Sequence, residues 1–470
     1  MKEILTEQER QFLIETIEKG EPLPLDFKYK LFPIAQKEYE LNYAGKMRKQ
    51  DVLRGDDGIL PVPLQIEKVF NGERELFDDG WRNMIVFGDN LQFLKTCYQN
   101  TDELIKNKIK GKVKLIYIDP PFGTAGDFDT KTGQKGYTDK KKNSDFVEFL
   151  RRRLIVAKEI LADDGSIYVH LDSKKVHYIK IIMDEVFGEN YFKNQIIWCY
   201  RKWAVGAKQF VRNHDTILFY TKSAINIFNV QFVPAGEGTM KRWKGKKHIR
   251  IFIDGVEKTI ELDEPIENPA SDWWEMAIIN ANANERVDYP TQKPEEVIER
   301  IIRSSTNEND LILDFFGGSG TTASVAEKLG RKWIVCDIGK LSFYTIQKRM
   351  LSIQDSKSLQ IPKKRYNNKA KSFVTVSVGH YDLTKLFELG KDKYVDFVLG
   401  LFEVEKYKKP KTIQGYEIDG ERNGAYCLVW EFWKYKSDAN VDTIFVEELH
   451  ENIGSRVGKR FYRTCLQLVH

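Results

Sequence analysis

The sequence predicts an α/β fold: a doubly wound, mostly parallel sheet with a small β-rich insert and a C-terminal α/β domain. Three observations lead there. A short apolar strand pattern, Leu115-Ile116-Tyr117-Ile118, ends at Asp119 and turns into Pro120-Pro121-Phe122-Gly123. A second, Leu311-Ile312-Leu313, ends at Asp314 and passes through Phe315-Phe316 into Gly317-Gly318-Ser319-Gly320-Thr321-Thr322 and a helical run to Leu329, with Gly330 as the expected cap. A third, Trp333-Ile334-Val335-Cys336, ends at Asp337. Acids at the ends of apolar strands, each followed by a tight turn, are what open α/β sheets present at their carboxyl edge, where ligands bind.

Length and composition set limits. A chain of 470 residues divides into two or three domains. Aromatic residues make up 12%, enough for a sizeable core, so disorder is not expected. The net charge of +5 is too small to argue nucleic-acid binding by itself, so local basic clusters must carry it. The five cysteines, Cys97, Cys199, Cys336, Cys427 and Cys465, show no close pairing. They read as reduced core residues of a cytoplasmic protein, with no disulfide frame and no metal site. No signal peptide or membrane span is expected.

In chain order, residues 1–80 read as an N-terminal arm, with an amphipathic helix ending at Gly20 and a second helix over Ala35–Lys49. Residues 81–222 form the first half of the main domain. Met84–Phe87 is a strand ending at Gly88-Asp89-Asn90, where Asp89 or Asn90 suits a helix N-cap. Residues 123–142 make a long glycine- and lysine-rich loop with Phe128, Tyr137 and Lys140-Lys141-Lys142, read either as closing over a ligand or as a solvated surface loop. Phe146, Phe149, Leu150, Leu154, Ala157 and Leu161 recur at helical spacing, and Arg151-Arg152-Arg153 is read as pointing mostly to solvent. The strand Ser166–Leu171, a helix Lys174–Phe187 and strands Gln195–Tyr200 and Thr216–Thr221 follow.

Residues 223–286 break this rhythm. Lys241, Arg242, Trp243, Lys244, Lys246, Lys247 and Arg250 form the densest basic stretch and include an aromatic, which suits phosphate neutralisation and stacking on bases. Strands at Ile249–Ile253 and Thr259–Leu262 suggest a small β lobe. Residues 287–354 hold Tyr289-Pro290-Thr291-Gln292-Lys293-Pro294, a helix Glu295–Ser304 and the glycine turn. Residues 355–371 read as a basic linker. Residues 372–470 read as a separate α/β domain, with strands Phe373–Val378, Ala425–Trp433 and Arg460–Val469 and helices over 383–403 and Thr443–Ile453. There Asp419, Glu431 and Lys434 are spaced unlike nuclease carboxylates and lysine, so docking or DNA contact is the expectation.

The chemistry concentrates at two turns. In Asp119-Pro120-Pro121-Phe122 the prolines fix the backbone and remove two donors, leaving carbonyls free to accept, while Phe122 offers a flat stacking face. The competing reading is a tight exit from the sheet. The glycine turn allows close approach of a ligand, and Asp337, about twenty residues on, suits ribose hydroxyls. The turn has no lysine, so it is not a triphosphate loop; on its own it could equally serve packing.

Asp-Pro-Pro-Phe, then Tyr-Pro-Thr-Gln-Lys-Pro, then Asp-Phe-Phe-Gly-Gly-Ser-Gly-Thr-Thr, in that order, resembles the beta group of amino DNA methyltransferases. In particular it resembles the adenine-specific modification subunits of type III restriction-modification systems, over about residues 20–350. The resemblance implies a methyltransferase (Rossmann-like) sheet and S-adenosyl-L-methionine as cofactor, held by Asp89, Lys293, Asp314, Phe315, Gly317, Gly320, Thr321 and Asp337. It implies Asp119, Pro120, Pro121 and Phe122 as catalytic residues, residues 223–286 as a target-recognition insert, and Asn213-His214-Asp215 in the half that holds the target base. The expected activity is methylation of the N6 amine of a flipped-out adenine at a specific site in double-stranded DNA. Alternatives are an N4-cytosine or RNA amine methyltransferase, or a DNA-recognition subunit guiding a nuclease or helicase. A homodimer and a restriction or helicase subunit are the partners left open.

Overall fold

The computed structural model describes residues 5–20, 27, 40–74, 76–121, 127–129, 135–138, 143–201, 210–243, 246–253, 256–280, 283, 285–361, 363–379, 391–401, 404–422, 424–429, 451–452 and 461–464. Two compact units result, Met1–Tyr43 and Ala44–His470. In the first, the helix Glu7–Glu18 starts at Thr6, whose hydroxyl accepts from the Glu9 amide while the Glu9 carboxylate accepts from the Thr6 amide. That reciprocal cap stops the first turn from fraying. Phe12 stacks on Phe27 at 5.7 Å.

The second unit is organised by a ten-stranded sheet. Its strands in chain order are β1 (Leu64–Phe70), β2 (Asn83–Phe87), β3 (Val113–Ile118), β4 (Leu161–Leu171), β5 (Phe192–Cys199), β6 (His214–Thr221), β7 (Trp273–Glu275), β8 (Leu311–Asp314), β9 (Lys332–Asp337) and β10 (Phe373–Val378). Their spatial order is β1-β10-β2-β9-β8-β3-β4-β6-β5-β7. All neighbours from β10 to β4 pair in parallel, whereas β1 and β6 run antiparallel to theirs. The central strands are buried along almost their whole length, which is why they read as continuous apolar runs without alternation. The fold is therefore α/β, doubly wound and mostly parallel.

Six helices matter for the site: α1 (Asn90–Gln99), α2 (Asn143–Ile160), α3 (Val176–Phe187), α4 (Glu295–Ser305), α5 (Thr321–Lys328) and α6 (Lys340–Leu351). The inner face of α4, Val297, Ile298, Ile301 and Ile302, is fully buried and belongs to the main core with Leu115, Tyr117 and Tyr168. The chain reverses its winding between β8 and β3, which lie side by side in the sheet although far apart in sequence. That switch point leaves a crevice at their carboxyl ends.

Several expectations from sequence need correction. Phe373–Val378 does not open the C-terminal domain; it is inserted in the central sheet between β1 and β2, buried at every residue. Leu64–Phe70, placed in the arm, is the edge strand beside it. The linker residues are packed: Ala370 is fully buried and the Lys371 amide donates to Glu327 at 2.6 Å. Residues 40–48 contain no helix; the helix there is Lys49–Arg54. The arginine run is not solvated, because Arg151 and Arg153 are buried and Arg151 donates to Glu185 at 2.7 Å.

The insert forms an antiparallel hairpin, Lys246–Ile253 with Val256–Pro265. After β10, the strands Glu405–Ile413, Tyr416–Arg422, Ala425–Val429 and Phe461–Thr464 make a four-stranded sheet against the helix Lys391–Leu401. Its first hairpin was not anticipated from sequence. The expected helix Thr443–Ile453 and the residues Glu431, Lys434 and Cys465 lie outside the described residues, apart from 451–452, which are helical. Cys97, Cys199, Cys336 and Cys427 are free thiols. Among the described residues no helix is long and apolar enough to cross a membrane.

Candidate active site

Each wall of the crevice is built from a strand end. On the β8 side, the buried Asp314 spends both oxygens inside the turn: it accepts from the Phe316 amide at 2.9 Å and the Thr322 hydroxyl at 2.6 Å. Burial pushes this carboxyl up to about 7, partly opposed by those two donors. Asp314 thus shapes the glycine turn from beneath. Gly318 and Gly320 adopt positive φ, +50° and +73°, and a side chain at Gly320 would press on Ile346 at 3.0 Å. The turn delivers the chain to the N-terminus of α5, where backbone amides and the helix dipole favour negative charge.

On the neighbouring strand end, Asp337 accepts from the Gly318 amide through one oxygen and from the Gly339 amide through the other, both at 2.8 Å. It also lines the crevice. Burial raises its carboxyl, and the two amides counter that. On the β2 side, Asp89 caps α1 by accepting from Leu91 and Gln92 at 2.8 and 3.0 Å. It also pairs with Arg153 at 3.2 Å.

The third wall comes from β3 and the approach to α4. Asp119 follows β3, and its carboxylate is bonded to the ammonium of Lys293. Lys293 precedes Pro294, which starts α4, and its carbonyl accepts from the Thr321 hydroxyl at 3.2 Å. This lysine therefore joins three stretches that are remote in sequence. One cavity of about 380 Å3 is lined by Asp119, Pro120, Pro121, Lys293, Asp314, Phe315, Gly317, Thr321, Asp337 and Asp89, a size in the range of small-molecule sites. Gly320 shapes the turn without lining the cavity.

Beyond Lys293 lies a second hollow of about 350 Å3, lined by Trp198, Tyr200, His214, Asp215 and Gln292 among others, and Lys293 and Thr291 border both. Phe122 and Lys244 lie outside the described residues, as do 123–126, 130–134 and 139–142 of the long loop. Of the insert's basic residues, the described Lys241, Arg242 and Lys246 do not line the first cavity. Lys241 and Arg242 are exposed, and Lys246 pairs with Glu261 at 2.7 Å.

Arg153 was missed from sequence. It donates to the Asn90 side-chain oxygen Oδ1 at 2.5 Å and to the Phe149 backbone carbonyl at 2.9 Å, and its guanidinium lies 3.5 Å from the Phe149 ring centre. Burial lowers it to about 10, with Asp89 opposing. Asn90 in turn donates to the Phe315 carbonyl at 2.6 Å, so Arg153 braces α1 against the glycine turn. The signal was present: Arg153 follows Phe149 by four and Leu150 by three, on the apolar stripe of α2.

Comparison with known proteins gives consistent relatives. The profile of the family N6_N4_Mtase, described as DNA methylase, matches residues 113–348. The type II methyltransferase M.EcaI of Enterobacter cloacae is 30% identical over 363 residues, covering 66% of this chain and 77% of that protein. The probable type III restriction-modification enzyme HindVI Mod subunit of Haemophilus influenzae is 32% identical over 208 residues, 40% of this chain and 25% of that one. Among solved structures, the PvuII DNA methyltransferase (cytosine-N4-specific) aligns with a TM-score of 0.39 and 18% identity, covering 57% of this chain and 86% of that one.

Proposed function

From the premise that this chain belongs to the N6/N4 DNA methylase family, and so is an S-adenosylmethionine-dependent DNA methyltransferase of the restriction-modification kind, we propose that its target is the N6 amine of adenine. The observation that carries the reading is the single cavity in which Asp119-Pro120-Pro121 faces the glycine turn and Asp337. Asp-Pro-Pro with an aromatic favours adenine, whereas N4-cytosine enzymes often begin the tetrad with serine.

The residues fit the cofactor. Asp337 presents an acceptor carboxylate for ribose hydroxyls, Phe315 and Ile338 supply apolar walls, and the turn from Gly317 to Thr321 lets a ligand approach the backbone. Asp89 lies on the same lining for the adenine end and Lys293 for the methionine end. S-adenosylmethionine supplies an electrophilic methyl group. The protein's own task is orientation. An exocyclic amine is a poor nucleophile because its lone pair is delocalised into the ring. Asp119 and the Pro120 carbonyl accept its two hydrogens, push density back to nitrogen and hold it in line. The base is flipped out of the duplex at a cost of ~ a few kcal/mol, offset by stacking on Phe122 and Trp243 and by phosphate contacts from Lys241, Arg242, Lys244, Lys246, Lys247 and Arg250. The hollow beyond Lys293 receives it.

Digesting methylated DNA and separating the nucleosides is expected to give N6-methyldeoxyadenosine; N4-methyldeoxycytidine alone would overturn the adenine assignment. Asp337→Ala is expected to weaken S-adenosylmethionine binding by ~10- to 100-fold in calorimetry, the loss of hydrogen bonds to a charged group. An unchanged dissociation constant would remove Asp337 from the cofactor site.

A further inference from the structure

A line of hydrogen-bonded side chains crosses the sheet just behind Asp119. Tyr117 on β3 meets His170 Nδ1 on β4 at 2.9 Å; His170 Nε2 meets Asp215 Oδ2 on β6 at 3.3 Å; and Tyr200, just after β5, donates to Asp215 Oδ1 at 2.9 Å. His170 is fully buried. Tyr117 lines the first cavity two residues before Asp119, while Asp215 and Tyr200 line the second. Nothing in the methyl-transfer geometry already described uses this line.

The donors can be assigned. Asp215 accepts from the Tyr200 hydroxyl and is a carboxylate, so it can only accept from His170 as well. Burial opposes that charge, but His170, Lys293 and Tyr200 outweigh it and hold the group at about 2. His170 Nε2 therefore carries the hydrogen, Nδ1 is a bare acceptor, and the Tyr117 hydroxyl donates to it. Tyr117 borders the first cavity, and a phenol oxygen that donates its hydrogen still has lone pairs to accept one. The arrangement is the acid–histidine–hydroxyl geometry in which an imidazole accepts a proton beside a carboxylate that stays ionised.

We propose that Tyr117, His170 and Asp215 take up the proton that the amine must lose. Once the amine nitrogen has gained a methyl group it carries one proton too many for a neutral product. Asp119 is poorly suited to remove it, because Lys293 already neutralises that carboxylate. The hydrogen held by the Pro120 carbonyl, which is too weak a base to take it, is the one that leaves: it passes from nitrogen to the Tyr117 oxygen as the hydroxyl proton passes to His170 Nδ1. His170 becomes an imidazolium held by Asp215. When the methylated base leaves, the same path runs backwards and delivers the proton to water entering the cavity, which restores the starting state. Tyr117 is the catalytic member; His170 and Asp215 act through it.

The proposal rests on the methyl-transfer reading, and its test separates the two. Single-turnover methylation is measured with wild type, Tyr117→Phe, His170→Gln and the double variant, with folding checked by circular dichroism and cofactor and DNA affinities measured separately. A wild type that transfers no methyl overturns the reading beneath. If the relay operates, Tyr117→Phe slows transfer by ~100-fold or more without changing either affinity, and the double variant is no slower than the slower single one. A Tyr117→Phe rate within about threefold of wild type, far short of an acid–base contribution, overturns the relay alone. Nitrogen-15 NMR of labelled histidine tests it without activity or variants that must fold: His170 is expected with its hydrogen on Nε2, and a hydrogen on Nδ1 would reverse the donor order and sink the relay.

Discussion

Asp119→Ala is expected to reduce methyl transfer by ~100- to 1,000-fold, the scale on which removing an oriented polar group from a transition state is felt. Duplex binding should persist. The carboxylate sits at the end of β3 with its backbone fixed by Pro120 and Pro121, so its position is set before any substrate arrives. The variant also leaves Lys293 without its carboxylate, in a corner where only 11% of the lysine side chain is exposed. Part of the loss therefore comes from a displaced ammonium, and Asp119→Asn separates the parts. It keeps an acceptor oxygen for the amine hydrogen but removes the charge, and should recover some of the rate. Labelled methyl transfer to duplex DNA and a filter-binding measurement on the same preparations decide the matter. If the alanine variant methylates at near the wild-type rate, Asp119 is an exit turn from the sheet and nothing more. If it loses duplex binding in proportion, it is a DNA contact and not a catalytic residue.

What the sequence made legible follows from how far apart interacting residues lie along the chain. Asp119, Asp314 and Asp337 each close an apolar strand and open a turn, so strand, acid and turn are read from a handful of neighbours. Glycines at Gly318 and Gly320 announce positive φ in the same local way. The groups that couple these pieces left no such trace. Tyr117 meets His170 53 residues on, and Glu295 meets Arg349 54 residues on. Nothing local says that those side chains share a buried volume. The same limit explains Phe373–Val378. Its β pattern announced a strand correctly, but six residues cannot say which sheet will take it up, and two flanking strands in the main sheet did. Arg153 is a different kind of miss: helical spacing put it on the inward stripe, and its charge argued against believing the spacing.

The largest stability loss from one side chain is expected at Glu295→Ala, ~3–5 kcal/mol, the cost of leaving buried charges without their partner. Glu295 opens α4, and its two oxygens accept from Arg349 and Ser324 at 2.8 Å each and from Lys328 at 2.7 Å, with all four residues buried or nearly so. The same Arg349 also donates to the Ser319 carbonyl and the Thr321 hydroxyl at 3.1 Å. The carboxylate thus ties α4, α5 and α6 to the glycine turn, and its loss should loosen the turn as well as the fold. Urea unfolding reads the first effect, and hydrogen exchange at the amides of Gly317 to Thr321 reads the second. A change under about 1 kcal/mol would mean that water reaches the two cations and the cluster is not a true interior one. The pH dependence has a definite sign. Burial pushes the Glu295 carboxyl up, but Arg349, Lys328 and Ser324 more than reverse this and hold it below its ordinary value. A carboxyl depressed in the folded state stabilises above its unfolded value of about 4.3, and that stabilisation fades as pH falls through the folded value. The gap between wild type and Glu295→Ala should therefore be widest near neutrality and narrow in acid; a gap that widens in acid would place the stabilisation in the neutral acid and not in the ion pairs.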